Sequence, residues 1–508
     1  MPTEMGLRDV LLISPELALT GLAVVVVLLD LVVGRRKGVL LVVGTIGLLV
    51  PAGFSVVLWN EVHSLPAGAE AAFFGTIVVD KFALFFKFLI MGILALLLLA
   101  SGEYAERFRQ YQGEFIALVF LSATGLMLLA GAADLITVYI SLELAALPVV
   151  ALAAFLKTEV RSTEAGIKFL LLSGISSAIL LYGFAFLYGA TGTVRLFSLD
   201  PAVPTIAMMA GQGDATLPFG SFPLMVGAVL AVAGFGFKLS IVPFHMWTPD
   251  VYEGSPTPVA AFLAVASKAA AFAVVLRVFH TGLGAVSTDW VLLFAGLSAA
   301  TMTVGNLAAM VQTNVKRLLG YSAIAHAGYM LIGVAAVAGD GAGSGQDVLG
   351  SSGLLFYLGA YAATTMAAFF AVIAITNRTG SDEIDGLTGV SQRAPWLAGV
   401  LALALVSLTG IPPTAGFMGK LFLFNAAVNA DLIWLAVFGV VNSVLSAYYY
   451  LRIIRVMYLQ PAGVAARISV GIPAGAALLV TGVSVLVLGI VPGELLDVAR
   501  TAAIGLFR

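Results

Sequence analysis

A few charged residues stand inside long apolar runs where no charge is expected. Lys238 lies shortly before Pro243, and Lys420 shortly after Pro412 and Pro413. Lys268, in Ala266-Ser267-Lys268-Ala269, and Lys168, in Gly166-Ile167-Lys168-Phe169, complete the set. In a bilayer such a charge costs about 2.5–3.5 kcal/mol on insertion scales, so it calls for a partner or a task. Proline removes a ladder hydrogen bond and frees carbonyls, and broken helices that meet a charge at mid-membrane are a pattern of ion-transport sites. Glu143, in Ser141-Leu142-Glu143-Leu144, is the carboxylate placed near the middle of a run; Lys238 and Lys168 are its candidate partners. Burial weakens a lysine's hold on its proton and a nearby carboxylate restores it, so a pair whose separation changes can take up and release a proton. His326, midway along YSAIAHAGY (Tyr321 to Tyr329), reads either as a relay between such sites or as a packed neutral imidazole bonded to hydroxyls. Lys168 also reads as a lysine that snorkels from a span end.

The elements that carry these residues follow from composition. Of 508 residues, 61% are hydrophobic and 10% charged, against about 25% charged in soluble domains, and the mean hydropathy is +1.07. These values exclude a soluble enzyme. The net charge of −2 leaves no basic surplus for nucleic acid. With no cysteine and four histidines, disulfides, cysteine-held iron–sulfur clusters and thiol nucleophiles are excluded, and a metal or haem centre is not expected. Redox chemistry, if any, belongs to another chain. The first residues carry Glu4, Arg8 and Asp9 with no small-residue cleavage site after the first apolar run, which reads as a retained span.

Apolar stretches bounded by charges or Gly/Pro clusters predict an all-α polytopic membrane protein with about fourteen spans, starting near Leu11, Val39, Val79, Glu114, Asp134, Glu164, Pro223, Pro258, Trp290, Lys316, Ser351, Trp396, Asp431 and Gly471. None alternates as a barrel strand would. Lys and Arg accumulate on cytoplasmic loops. One set of alternate loops holds Arg35, Arg36, Lys37, Arg107, Arg109, Lys157, Arg161, Lys316, Arg317, Arg378, Arg393, Arg452, Arg455 and Arg467; the other holds only Arg8, Arg195, Arg500 and Arg508. The bias predicts an even number of spans and both termini on the outer face. Lys81 beside Asp80 and Arg277 near His280 read as snorkelling side chains, Lys87 stays open, and Asp30 is expected to meet water or the Arg35 cluster.

The seventh span contains AGFGFKL (Ala233 to Leu239) and the twelfth AGFMGKL (Ala415 to Leu421). Spans five crossings apart run in opposite directions, so the match predicts an inverted repeat. The organisation expected is spans 1–3 over residues 1–112, a first five-helix unit over 113–282, a second over 283–460, and a last span over 461–508, with helices 7 and 12 broken. Asp250 and Glu253 with His245 resemble a metal cluster, but the surrounding prolines Pro243, Pro249, Pro256 and Pro258 make a rigid turn, and a role in proton entry or docking is preferred. No nucleotide signature is present.

FHMWTPDVYEGSPTPV (Phe244 to Val259), GFGFKLSIVP (Gly234 to Pro243), YSAIAHAGYM (Tyr321 to Met330) and GIPPTAGFMGK (Gly410 to Lys420) resemble the antiporter-like membrane subunits of respiratory complex I, over about residues 10 to 495. Lys268 on the eighth span, Lys420 on the twelfth, the absence of a long lateral helix, and GIKFLLLSGISSAILLYGFAFLYGATGT (Gly166 to Thr193) are most similar to the N type. The resemblance implies a proton channel driven by NADH oxidation and quinone reduction in sister subunits, which would carry the FMN, iron–sulfur clusters and quinone site, with none in this chain. It implies partners among the membrane-arm subunits, an M-type neighbour and small K-, J- and A-type chains. It also implies roles: Glu143 and Lys238 as a switching pair, Lys268 as connecting site, Lys420 as terminal site facing an exit half-channel, and Lys168 as the lysine of span 6. A subunit of a Mrp-type cation/proton antiporter, the membrane arm of a hydrogenase or ferredoxin-linked complex, and a non-transporting anchor are the competing readings.

Overall fold

The computed structural model describes residues 6–34, 37–65, 68–212, 221–336, 348–461 and 467–506. Arg35, Arg36 and Arg508 lie outside the described residues, as does the side chain of Arg109.

Among the described residues thirteen helices are long and apolar enough to cross a membrane. They are spans 1 to 6 (Ser14–Val33, Gly38–Ser64, Lys81–Ser101, Gln112–Ala130, Leu135–Ala153, Val160–Thr191), span 7 (Phe222–Leu239), spans 8 to 11 (Thr257–Gly282, Trp290–Met310, Val315–Ala335, Val348–Thr379), and spans 13 and 14 (Ile433–Leu459, Ile472–Ile490). The twelfth passage is a pair of shorter helices, Pro395–Thr409 and Ala415–Asn429, which completes the expected fourteen. Span 7 is followed, after a break, by a half-helix, Trp247–Gly254.

Helix starts follow local chemistry. Asp134 accepts from the amides of Ile136 and Thr137 at 2.8 and 2.9 Å, Asn314 from Arg317 at 3.1 Å, and Asp80 from Ala83 at 2.7 Å, each satisfying donors that a helix start leaves orphaned. Between spans 2 and 3 the chain makes an antiparallel hairpin of β1 (Ala69–Ala72) and β2 (Ile77–Asp80), which the sequence reading did not anticipate. Nor did it anticipate the last helix, Gly493–Leu506.

Spans 3, 4, 8, 10 and 11 form the buried centre, while spans 1, 2, 6, 9, 13 and 14 keep apolar faces turned outward. Two constructions recur one five-span unit apart. A Cβ at Gly125 would meet the Ala145 nitrogen at 2.5 Å, and one at Gly305 the Ala325 nitrogen at 2.6 Å, so spans 4 and 5, and spans 9 and 10, cross where only glycine lets the backbones touch. The residue capping the second helix of each pair makes a single antiparallel bridge, Asp134 to Arg195 and Asn314 to Glu383.

The breaks also correspond. The first half-helix of span 7 ends at Ser240 and that of span 12 at Gly410, both left-handed (φ 62° and 90°), and a cis proline follows each, Pro243 and Pro413. In this frame the two seven-residue matches are not equivalent: Lys238 precedes its break and Lys420 follows its own. The repeated architecture stands on the breaks, caps and glycine crossings. The two heptamers fall at different places within their passages.

Candidate functional site: a row of buried ammonium groups

Charged loops gather at two ends of the molecule. At one, Arg161 pairs with Glu253 at 3.5 Å, Arg317 with Asp250 and Glu253 at 2.7 and 3.0 Å, and Lys316 with Asp382 at 3.5 Å. At the other, Arg8 pairs with Glu61 at 3.1 Å and Arg195 donates to the Phe74 carbonyl at 2.8 Å. No residue of one loop set contacts the other in these pairs.

Lys168 belongs to the first of these ends. Its ammonium meets Glu164 and Asp250, both at 2.7 Å, with 40% of the side chain exposed. It lines a polar pocket of about 270 Å³ with Arg161, Glu253 and Arg317. The structure does not bring it to Glu143. Between this cluster and Lys238 stand Phe169, Phe237 and Trp247, with ring centroids 4.9 to 6.0 Å apart. The indole of Trp247 donates to the Phe237 carbonyl at 2.9 Å, fixing the second half-helix of the seventh passage beneath the first.

Lys238, 8% exposed, sits in the last turn before the break and donates to the Ser173 hydroxyl of span 6 at 2.9 Å. Glu143 of span 5 accepts a short hydrogen bond from Ser177 of the same span 6. Glu143 is within electrostatic reach of Lys238, yet no ion pair within 4.0 Å joins them among the described residues. The expected partners are thus held side by side, each by its own serine. Sequence reading missed both serines, although hydroxyls at i and i+4 in LLLSGISSAILL are a signal for a polar stripe on one helix face.

A cavity of about 20 Å³ lies between Lys238, Phe169 and Ser267 of span 8, room for about one water. Next along is Lys268, 1% exposed, directly after a π-helical turn, Leu263–Ser267. Such widened turns interrupt the ordinary ladder and occur frequently at functional sites. Its ammonium donates to the Ala323 carbonyl of span 10. On the same span, His326 bonds the Tyr357 hydroxyl at 2.6 Å and that of Tyr450 at 3.2 Å, with Ser322 also on Tyr450. His326 therefore has the hydroxyl partners of a packed imidazole and also lies within electrostatic reach of both Lys268 and Lys420.

Lys420, 3% exposed, closes the row. It donates to the carbonyls of Leu408 and Thr409 at 3.1 and 2.9 Å and to the Ser443 hydroxyl at 3.1 Å, and lies 4.3 Å from the Tyr329 ring centroid. The carbonyls are those a helix end leaves unpaired, where the macrodipole favours a cation. A lysine of the second half-helix thus caps the first. Gly416 makes this possible, since any side chain there would overlap the Ser407 carbonyl.

Of two further basic residues, Arg277 departs from its expected snorkelling and Lys87, which the sequence left open, finds a partner. Arg277 does not snorkel: it is 2% exposed and donates twice to Asp80 at 2.8 Å and to the Ala130 carbonyl at 2.9 Å, because Asp80 is buried at the start of span 3. Lys87 pairs with Glu16 of span 1 at 2.8 Å, with side chains 1% and 3% exposed. Asp30 meets Lys37. Among the described residues no group of His, Cys, Asp and Glu could hold a metal ion, so Asp250, Glu253 and His245 form none.

Fourteen passages with two broken helices and a row of buried ammonium groups define a polytopic membrane protein of the ion-transport class. The pattern of the family described as NADH:quinone oxidoreductase/Mrp antiporter matches residues 132–446. NADH-quinone oxidoreductase subunit N of Dehalococcoides mccartyi is 41% identical over 97% of this chain and 98% of its own. A chain of respiratory complex I from Thermus thermophilus superposes with a TM-score of 0.75 at 31% identity, covering 95% of this chain and 98% of that one. A chain of the Mrp complex from Dietzia sp. DQ12-45-1b gives 0.79 at 23% identity over 99% and 98%, a likeness of fold. This chain belongs to the antiporter-like membrane subunit family, among its subunit N members.

Proposed function

We propose that this chain is a proton-translocating membrane subunit of an NADH:quinone oxidoreductase, moving protons through buried Glu and Lys sites while sister subunits reduce quinone. The observation that carries the reading is the row itself: three ammonium groups, each at most 8% exposed and each held by neutral acceptors instead of a direct carboxylate. A structural lysine in a membrane is neutralised by an ion pair, as Lys87 is by Glu16; a lysine that must give up a proton is better left without one.

In this reading protons enter past Lys168 and Asp250, reach Lys238 when Glu143 approaches it, pass by water to Lys268, and cross by His326 and Tyr329 to Lys420. The breaks at Pro243 and at Pro412 and Pro413 keep backbone carbonyls available along the way. The chain holds no redox centre; NADH, FMN, iron–sulfur clusters and quinone belong to sister subunits, which include an M-type neighbour and small K-, J- and A-type chains. Residues 113–282 and 283–460 act as the two inverted units between 1–112 and 461–508. Both termini face outward across the cell membrane. A Mrp-type antiporter subunit is less supported, because the relatives near 40% identity over nearly the whole chain carry the subunit N name.

The test is the purified complex in liposomes, with quinone reduction by NADH and proton uptake recorded together for wild type, Lys238→Ala and Glu143→Ala. Loss of proton uptake in an assembled complex supports the reading. Both activities intact at an unchanged ratio would make the chain an anchor.

A further inference from the structure

Glu143 and Lys238 do not touch, and what separates them is a single face of span 6. Ser173 and Ser177 are one helical turn apart, 4% and 5% exposed. One accepts from the lysine and the other donates to the glutamate. The face is fixed by close backbone approach: a Cβ at Gly183 or Gly234 would meet the opposite helix at 2.9 or 2.6 Å; the Ser176 hydroxyl, which donates to the Gly234 carbonyl at 2.9 Å, faces neither charge. Span 6 therefore packs on span 7 at backbone distance and cannot shift without carrying both hydroxyls.

We propose that Ser173 and Ser177 are the positioning residues of the Glu143–Lys238 pair, holding its two charges apart in one arrangement and releasing them to meet in another. The inference rests on the proton-transfer reading of that pair. A hydroxyl can donate to a carboxylate or accept from an ammonium, so the two serines supply opposite halves of the separated state. Charge-assisted hydrogen bonds of this kind are among the stronger ones in proteins. Losing either serine weakens the separated state, but the effect on the lysine's proton differs in sign, because Glu143 stays held by Ser177 when Ser173 is lost. Without the Ser173 acceptor the charged lysine loses a partner in the separated state and gives up its proton more readily. Without the Ser177 donor Glu143 is freed to approach Lys238, and the lysine keeps its proton longer. The other charged groups near the pair are Lys268, which follows Ser267 of the cavity lining, and the cluster of Lys168, Glu164, Asp250, Glu253, Arg161 and Arg317 around the polar pocket.

The experiment is proton uptake per quinone reduced, as a function of pH, in liposomes bearing the assembled complex with Ser173→Ala, Ser177→Ala, Ser177→Thr, Ser176→Ala or Lys238→Met. The alkaline fall-off of uptake is expected to move to lower pH in Ser173→Ala and to higher pH in Ser177→Ala, each by about one unit, corresponding to about a tenfold change in the lysine's proton affinity. Ser177→Thr, which restores the hydroxyl, returns towards wild type. Ser176→Ala, whose hydroxyl meets only a backbone carbonyl, leaves the profile in place. Shifts of the same sign in all three alanine variants would mean a packing role and overturn the proposal. If Lys238→Met abolishes uptake while the serine variants keep the wild-type profile, the positioning role alone fails. If Lys238→Met pumps normally, the reading of the pair fails and the positioning role with it.

Discussion

Replacing Arg277 with Met tests how span 8, which carries Lys268, is fastened to the core. The guanidinium is 2% exposed and reaches Asp80 through two contacts of 2.8 Å, the Ala130 carbonyl at 2.9 Å, and the Phe82 ring with its centroid 4.9 Å away. It thereby links spans 3, 4 and 8. Methionine keeps most of the stem's packing but leaves the Asp80 carboxylate, whose side chain is 2% exposed, without its cation. Breaking a buried pair from one side costs about 3–5 kcal/mol. Asp80 retains the Ala83 amide, so the lower end, about 3 kcal/mol, is expected. Asp80→Asn strands the arginine instead and should also destabilise. The double variant Arg277→Met with Asp80→Asn should be more stable than the sum of the two, because a neutral replacement of a buried pair is often nearly neutral. The assay is thermal unfolding of the purified complex followed by tryptophan fluorescence, with native electrophoresis reporting whether the chain stays assembled. An Arg277→Met complex that melts with wild type, or a double variant that is strictly additive, would refute the argument.

Gly416→Ala should displace the half-helix bearing Lys420 and lower proton uptake sharply, whereas Gly399→Ala, with open space around its Cβ position, should not; equal uptake in the two would refute the close-approach argument. Ser443→Ala removes one of three acceptors from Lys420 and is expected to slow uptake by about tenfold, from the ~1.5 kcal/mol of a hydrogen bond to a charge, while Lys420→Met stops it; the comparison is read in liposomes at fixed quinone reduction. Lys168→Ala removes ion pairs from a side chain 40% exposed, so stability should change by under about 1 kcal/mol and uptake by less than tenfold, measured beside Lys238→Met. A loss as complete as that of Lys238→Met would move Lys168 into the central row.

Much of this protein is written in its sequence at the level of elements. Span starts fall within a few residues of their predicted places, since twenty apolar residues in a row have one economical fate in a bilayer, where every backbone group must be paired internally. The breaks were legible because proline cannot complete a helical ladder. Lys238, Lys268 and Lys420 announced themselves by being expensive.

What the sequence could not decide is which of these charges meet which neighbours. Glu16 and Lys87 are far apart in the chain, as are Asp80 and Arg277, and only packing turns each pair into a buried bridge. The same holds for Ser173 and Ser177, ordinary small residues until spans 5 and 7 bring Glu143 and Lys238 to their hydroxyls. The heptamer shared by spans 7 and 12 pointed to a repeat, yet its lysines lie on opposite sides of their breaks. The physical reason is one of range. Transfer of a segment from water to lipid depends on its own residues, so sequence alone determines the spans, whereas pairing depends on distances of a few ångströms between segments, which exist only once the helices have packed.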